Sequence, residues 1–378
     1  MSDDAARARE PVRPTLLPIS LIDETGAAVE GERAAGFAMP DGQVLLGLYR
    51  QMVVARRFDA QVSALTRQGR LATYPSALGQ EACEIAAVAS LHDQDWMFPT
   101  YRDTIALLTR GVSPSEVLSF FRGDWHSGFD PNHYRIAVQS TPLATQALHA
   151  VGLATAAKLK GDDTVALAFL GDGSTSEGDA SEAFNFASVW QAPVVFMVQN
   201  NQYAISVPVA KQTHARTFAD KAIGYGMPGY FVDGNDVAAM FAVLSASVER
   251  ARSGGGPTLI EGLTYRVEAH TNSDDPTRYR DKSEESRWRG LDPVTRLASY
   301  LGAAGILTQA TADDIATEAE SLATATRDAM NENPVLDPLE LFDHVYVNQR
   351  PALLEQRAFL ERELAAAEPI GAQAGSAS

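Results

Sequence analysis

The chain has 378 residues, 45% of them hydrophobic and 28 of them glycine, enough to bury a large α/β core as one domain or two smaller ones. Its formal charge is −17 and its 31 Lys and Arg residues form no basic run, which argues against a nucleic-acid or anionic-membrane surface. No run of about 18 apolar residues occurs, "MSDDAARAREPVRP" has no signal-peptide pattern, and Cys83 is the only cysteine, so we expect a cytoplasmic protein without an internal disulfide or a cysteine-built metal site.

Residues 1–40, rich in Pro, Asp, Glu and Ala, read as a partly disordered arm or one draped over a neighbouring surface. Regular structure begins near Asp41, where Val44, Leu45, Leu48, Met52 and Val53 recur at helical spacing, and Gly69 is a stop signal. A second helix is expected from the start signal Thr141-Pro142 through an Ala- and Gly-rich run to Lys160, able to approach another backbone closely. From Thr164 the pattern alternates: strand 164–170, helix about 179–191, strand 193–198, strand 229–233, helix 235–252, strand 257–267. This predicts an α/β fold with a parallel sheet flanked by helices. The expected divisions are the arm at 1–40, a ligand-binding domain at 41–345, and a C-terminal helix with a disordered tail at 346–378.

Two strands end in polar turns: "VALAFLGDGSTS" at Gly171-Asp172-Gly173, and "PVVFMVQNNQY" at Asn200-Asn201. In open parallel sheets ligands bind beyond the carboxyl ends of strands, where both turns fall. One carboxylate between two glycines, an amide oxygen and a nearby backbone carbonyl make half of an octahedral magnesium site, with phosphate and water oxygens to complete it. "GDGSTS" also half-matches a dinucleotide fingerprint, but Ser176 stands at the third glycine and the next strand ends in Asn instead of an acidic residue.

Gly171-Asp172-Gly173, twenty-six intervening residues and Asn200-Asn201 resemble the thiamin diphosphate and magnesium fingerprint. "LGQEA" (78–82), "PTYRDT" (99–104), "STPLATQALHAVGLA" (140–154), "SEGDASEAFNFA" (176–187), "VDGNDV" (232–237) and "HTNSDDPTRYR" (270–280) extend the likeness. Over about residues 42–350 the chain resembles the alpha subunit of the decarboxylating component of 2-oxo acid dehydrogenase complexes, and "HTNSDDPTRYR" looks closest to branched-chain members.

The resemblance implies a thiamin diphosphate-binding fold in which Asp172, Asn201 and the carbonyl of Tyr203 hold Mg2+. Tyr101, Arg102, Gly173, Ser174 and His270 match diphosphate positions, Thr141 another cofactor contact, and Leu143 the bulky residue that props the cofactor in a bent shape. Ser140, Pro142, Thr145 and Gln146 match a potassium site (K+) of branched-chain members. Oxidative decarboxylation of a 2-oxo acid would be followed by acyl transfer to the lipoyl arm of a separate acyltransferase. His270, whose protonated form would add to the charge of Mg2+ and Arg102, would assist by proton donation. The glutamate that activates the aminopyrimidine comes from a beta subunit in this family, so the working form implied is two alpha and two beta chains.

Several features depart from the pattern. Gln199 stands where mammalian branched-chain relatives have an arginine, the loop "GDWHSGFDP" (123–131) is reworked around His126, and Thr271 replaces a serine that regulatory kinases modify. Pro75 stands where mitochondrial pyruvate-type chains have histidine. A branched-chain substrate is expected, with Tyr74, Leu78 and Leu143 near its pocket; the alternatives are a pyruvate- or acetoin-cleaving relative and a non-catalytic binding subunit.

Overall fold

A computed structural model describes residues 12–123, 128–139, 141–332 and 337–367. Its contacts divide the chain into a large unit up to Asn331 and a small one from Glu332.

The large unit is built on a five-stranded sheet. Its strands are β1 (Trp96–Phe98), β2 (Ala166–Gly171), β3 (Val194–Asn200), β6 (Gly229–Asp233) and β7 (Thr258–Leu263), in spatial order β1-β2-β3-β7-β6. Every pairing is parallel. The short β4 (Tyr203–Ala204) and β5 (Val207–Pro208) form a separate antiparallel ribbon. Both faces of the sheet are covered, and alternate residues serve opposite sides. Leu167, Phe169, Val195 and Met197 pack with the helices Gly42–Arg67, Glu81–Ala89 and Val237–Arg250. Ala166, Ala168, Leu170, Phe196 and Val198 pack with the helices Thr145–Lys160 and Gly178–Trp190. The buried stripe of Thr145–Lys160 is mostly alanine, Ala147, Ala150, Ala154 and Ala157, so its axis can lie close to the sheet.

Three expectations shift in detail. The first helix ends at Arg67, with Gly69 at φ +74° beyond it, but its buried face runs through Leu45, Leu48, Met52, Ala55, Phe58, Val62 and Leu65. Val44 falls off that stripe and is exposed. The helix expected from Thr141-Pro142 begins at Thr145, which leaves Pro142 and Leu143 free to face a cavity. β7 ends at Leu263, four residues short of the predicted 267, because the chain turns off the sheet at Thr264–Arg266 to meet the end of β3.

From residue 12 on, the arm packs on its own unit. Ile19 donates its N–H to Phe231 and accepts from the N–H of Asp233, lying alongside the edge strand β6 and covering its open hydrogen-bonding groups. The Asp236 carboxylate then accepts from the N–H groups of Leu21 (2.6 Å) and Ile22 (2.7 Å) and from Ser20 Oγ (3.0 Å). The small unit holds a turn at Pro338–Phe342 and the helix Pro351–Ala366, tied together by Arg357 to Asp343 at 2.6 Å.

Candidate active site

Four adjacent strands, β1, β2, β3 and β7, deliver side chains beyond their carboxyl ends into one cavity of about 160 Å3. Tyr101 and Arg102 follow β1; Asp172, Gly173 and Ser174 follow β2; Asn201 and Tyr203 follow β3; Arg266 and His270 follow β7. Gln80, Pro142, Leu143, Gln199 and Ile205 complete much of the wall.

After β2 the chain enters a tight turn. Ser174 Oγ accepts from the Gly171 N–H (3.1 Å), and Thr175 Oγ donates back to the Asp172 carbonyl (2.8 Å). A Cβ on Gly173 would stand 2.7 Å from that of Ala204, so only glycine lets this turn close on the one after β3. The Asp172 carboxylate is 2% exposed and accepts from Gln212 Nε2 at 2.6 Å. Burial pushes its pKa up, against that hydrogen bond.

The two asparagines after β3 part company. Asn200 donates to Glu261 (2.7 Å) and accepts from Gln202 Nε2 (2.8 Å), which ties its amide up outside the cavity lining. Asn201 donates Nδ2–H to Gln80 Oε1 (2.9 Å), and its Oδ1 accepts weakly from the Tyr203 N–H (3.3 Å). Gln202 at φ +75° and Ile205 at φ +55° bend this loop sharply; a β-branched residue there is a local strain of the sort found at functional sites.

Two arginines and a histidine meet at the far wall. Arg102 donates to the Ser76 carbonyl (2.9 Å), to His270 Nδ1 (3.1 Å) and to the His270 carbonyl (3.2 Å). Arg266, only 1% exposed, donates to the carbonyls of Tyr203 (3.2 Å) and Ile205 (2.6 Å), to Tyr279 Oη (3.0 Å) and to His270 Nδ1 (3.4 Å). A guanidinium can only donate, so Nδ1 is an acceptor and the proton of neutral His270 sits on Nε2. Burial, then the charges of Arg102 and Arg266, lower its pKa to about 4. His270 is therefore neutral near pH 7 and adds no positive charge to the cavity. The cavity charge comes instead from two guanidiniums against the single carboxylate of Asp172.

Gln199, in the arginine position, donates to the buried Asp103 at 2.5 Å, and burial lifts Asp103 to about 6. Thr141 is exposed and outside the cavity lining. Gln146 is buried behind it, donating Nε2–H to the carbonyls of Phe169 (2.9 Å) and Leu143 (3.1 Å), while its Oε1 has no partner. Thr145 is half-buried at the helix start; Ser140 and His126 lie outside the described residues. Tyr74 and Leu78, expected beside Leu143, line other hollows: the Tyr74 hydroxyl is held by Asp59 at 2.8 Å, and Leu78 packs towards Tyr265 and Val267. Sequence reasoning missed Arg266, Gln80 and Ile205. An arginine at the end of the apolar run "TLIEGLTYRV", four residues before His270, was the available signal for the first.

Fold and cavity together define a doubly covered parallel α/β protein with a polar cavity, lined by two arginines and one aspartate, at the carboxyl edge of its sheet. The family profile of the dehydrogenase E1 component matches residues 49–338. The chain is 47% identical over 350 residues to the 3-methyl-2-oxobutanoate dehydrogenase subunit alpha of Mycobacterium tuberculosis, covering 93% of this chain and 95% of that one. It is 37% identical over 318 residues to the pyruvate dehydrogenase E1 component subunit alpha of Acholeplasma laidlawii (83% and 92% covered), and 38% over 327 residues to that of Bacillus cereus (85% and 87%). The chain belongs to the dehydrogenase E1 component family, the thiamin diphosphate-dependent 2-oxo acid dehydrogenases. Among the described residues no helix is long and apolar enough to cross a membrane.

Proposed function

We propose that this chain is the alpha subunit of a branched-chain 2-oxo acid dehydrogenase, acting on 3-methyl-2-oxobutanoate-like acids and passing the acyl group to a lipoyl-bearing acyltransferase. The observation that carries the substrate assignment is the 47% identity across 93% of the chain to a relative of that name, against 37% and 38% to the two pyruvate relatives above.

The cavity suits a diphosphate with its metal ion. Buried polar atoms on its wall, Gln80 Nε2, Gln199 Oε1 and Arg266 Nε, have no partner among the described residues. No group of three or more His, Cys, Asp or Glu side chains clusters for a metal among the described residues, so a cation here takes mixed oxygen ligands, as Mg2+ prefers. Asp172, Asn201 Oδ1 and the Tyr203 carbonyl would hold Mg2+. Arg102, Tyr101, Ser174 and Gly173 would hold the diphosphate, with Arg266 adding charge behind them, and Leu143 would support the cofactor's bend. Thr141 is the remaining proposed contact. The unpartnered Oε1 of Gln146 supports a K+ site with Thr145, Pro142 and Ser140.

Bound thiamin diphosphate supplies a carbon nucleophile for the keto group and an electron sink when carbon dioxide leaves. His270, its Nδ1 engaged by two guanidiniums, offers Nε2–H as the donor on this wall. That is the atom from which it would assist acyl transfer. A beta subunit is required to complete the site, in an assembly of two alpha and two beta chains. Ligand pockets for whole small molecules enclose about 300–1,000 Å3. The cavity here is smaller, and the apolar Leu143, Ile205 and Val207 stand exposed beside or near it, which supports a covering partner.

The test is to co-purify this chain with a beta subunit and compare 3-methyl-2-oxobutanoate with pyruvate in the presence of Mg2+ and thiamin diphosphate. An apolar pocket separates such substrates by roughly 10- to 200-fold. A higher kcat/KM for pyruvate would move the assignment to the pyruvate dehydrogenases.

A further inference from the structure

Asn201 can serve a cation only with its carboxamide turned one way. With Oδ1 towards the ion it offers a lone pair; reversed, it offers two N–H groups and repels the charge. The side chain that selects between these states is Gln80, just ahead of the helix Glu81–Ala89, whose Oε1 accepts from Asn201 Nδ2 at 2.9 Å. The pair cannot reverse together without cost, because Asn201 Nδ2 would then face the Tyr203 N–H that Oδ1 now accepts at 3.3 Å.

Gln80 itself is held by backbone. Its N–H donates to the Ala77 carbonyl (2.9 Å), and the preceding Gly79, at φ +97°, is pinned through its carbonyl by Thr264 Oγ (2.6 Å) and through its N–H by Glu81 (2.9 Å). A Cβ on Gly79 would stand 2.3 Å from the Tyr265 carbonyl oxygen, so only glycine lets the turn pack this closely. Gln80 is 1% exposed and lines the cavity, yet its Nε2 has no acceptor. A buried amide donor left unmade is costly, and the cavity is where an oxygen could meet it.

We propose that Gln80 is a positioning residue of the cation site: its Oε1 fixes Asn201 with Oδ1 available to the metal. The proposal rests on the magnesium reading given above. The test uses the alpha–beta assembly, freed of metal, with thiamin diphosphate present, and reads the apparent Mg2+ affinity by calorimetry. Gln80→Leu removes both polar atoms and is expected to weaken Mg2+ binding by roughly 10- to 100-fold, the usual effect of losing a group that orients a ligand. Gln80→Glu keeps an acceptor for Asn201 Nδ2 and is expected to keep Mg2+ affinity close to wild type. Wild-type Mg2+ affinity in Gln80→Leu would overturn the proposal, as would equal losses in both variants, which would mark a merely structural role. If Gln80→Leu fails to assemble, Gln80→Glu decides alone, since a large loss of Mg2+ affinity there is incompatible with an acceptor role. Absence of Mg2+-dependent cofactor binding in the wild type would instead overturn the magnesium reading, and this proposal with it.

Discussion

The two glycines around Asp172 look equivalent in sequence and differ in space, which makes a paired substitution informative. Neither has a positive φ, so alanine is tolerable to the backbone at both. At Gly173 a Cβ would lie 2.7 Å from Ala204 Cβ, whereas ordinary contact begins at 3.4 Å, so the turns after β2 and β3 must separate by about 0.7 Å. At Gly171 the nearest atom outside its immediate neighbours is Ser174 Oγ at 3.8 Å, and nothing on the protein needs to move. Overpacking of this kind costs about 1–3 kcal/mol, so Gly173→Ala should destabilise the cofactor-free protein by that amount while Gly171→Ala stays within about 0.5 kcal/mol of wild type. The displaced turns carry Asp172 on one side and Tyr203 on the other, so Gly173→Ala should also weaken Mg2+, on the order of 10- to 100-fold. Urea unfolding of the apo protein and calorimetric Mg2+ titration measure the two effects. Equal stabilities for the two variants, or wild-type Mg2+ affinity in Gly173→Ala, would refute the close-approach argument.

Asp172→Asn should abolish Mg2+-dependent cofactor binding yet stabilise the apo protein at neutral pH. Its folded pKa is raised by burial, so its contribution favours folding below the unfolded pKa and is lost as pH rises through the folded one; apo unfolding curves across pH check the sign. His270 behaves in the opposite sense: with a folded pKa of about 4 against 6.5, the unfolded chain binds the extra proton between those values, and apo stability should rise with pH across that window. His270→Gln should flatten that slope, and nuclear magnetic resonance titration should find the imidazole neutral at pH 6. Arg280 donates to the carbonyls of Arg266, Val267 and Glu268 from a nearly buried position; Arg280→Met should loosen the segment 268–290, read as faster limited proteolysis there with the sheet intact.

β2 and β3 were legible because each is a continuous apolar run stopped by glycine or asparagine, as a strand covered on both faces must be. β1, with three residues, carries too little pattern to register, and its existence depends on pairing with β2. Asp172 and Asn201 were found from their turns. The division of labour between Asn200 and Asn201, however, depends on Glu261 and Gln80, which lie 61 and 121 positions away in the chain. The neutral state of His270 was out of reach of the sequence for a related reason. A histidine in a polar loop reads as solvated, and only the tertiary fold reveals two guanidiniums against its Nδ1. Arg266 stayed hidden because its strand was read through to 267, which treated a site residue as part of the sheet.

Asp236, which fastens the arm, also caps the helix Val237–Arg250 by accepting from the N–H groups of Ala238 and Ala239, each at 3.1 Å. One carboxylate therefore stitches the start of the chain to its middle across a separation of 216 residues, from Ser20 to Asp236. During synthesis the arm leaves the ribosome ahead of its docking strand and anchoring carboxylate, which follow about two hundred residues later. Ile19, Leu21 and Ile22, all buried in the finished molecule, wait throughout that interval for the surface that covers them. A segment made this far ahead of its partner is thus obliged to dock late, and the high Pro and charged content of residues 1–40 suits a stretch that has to wait without sticking.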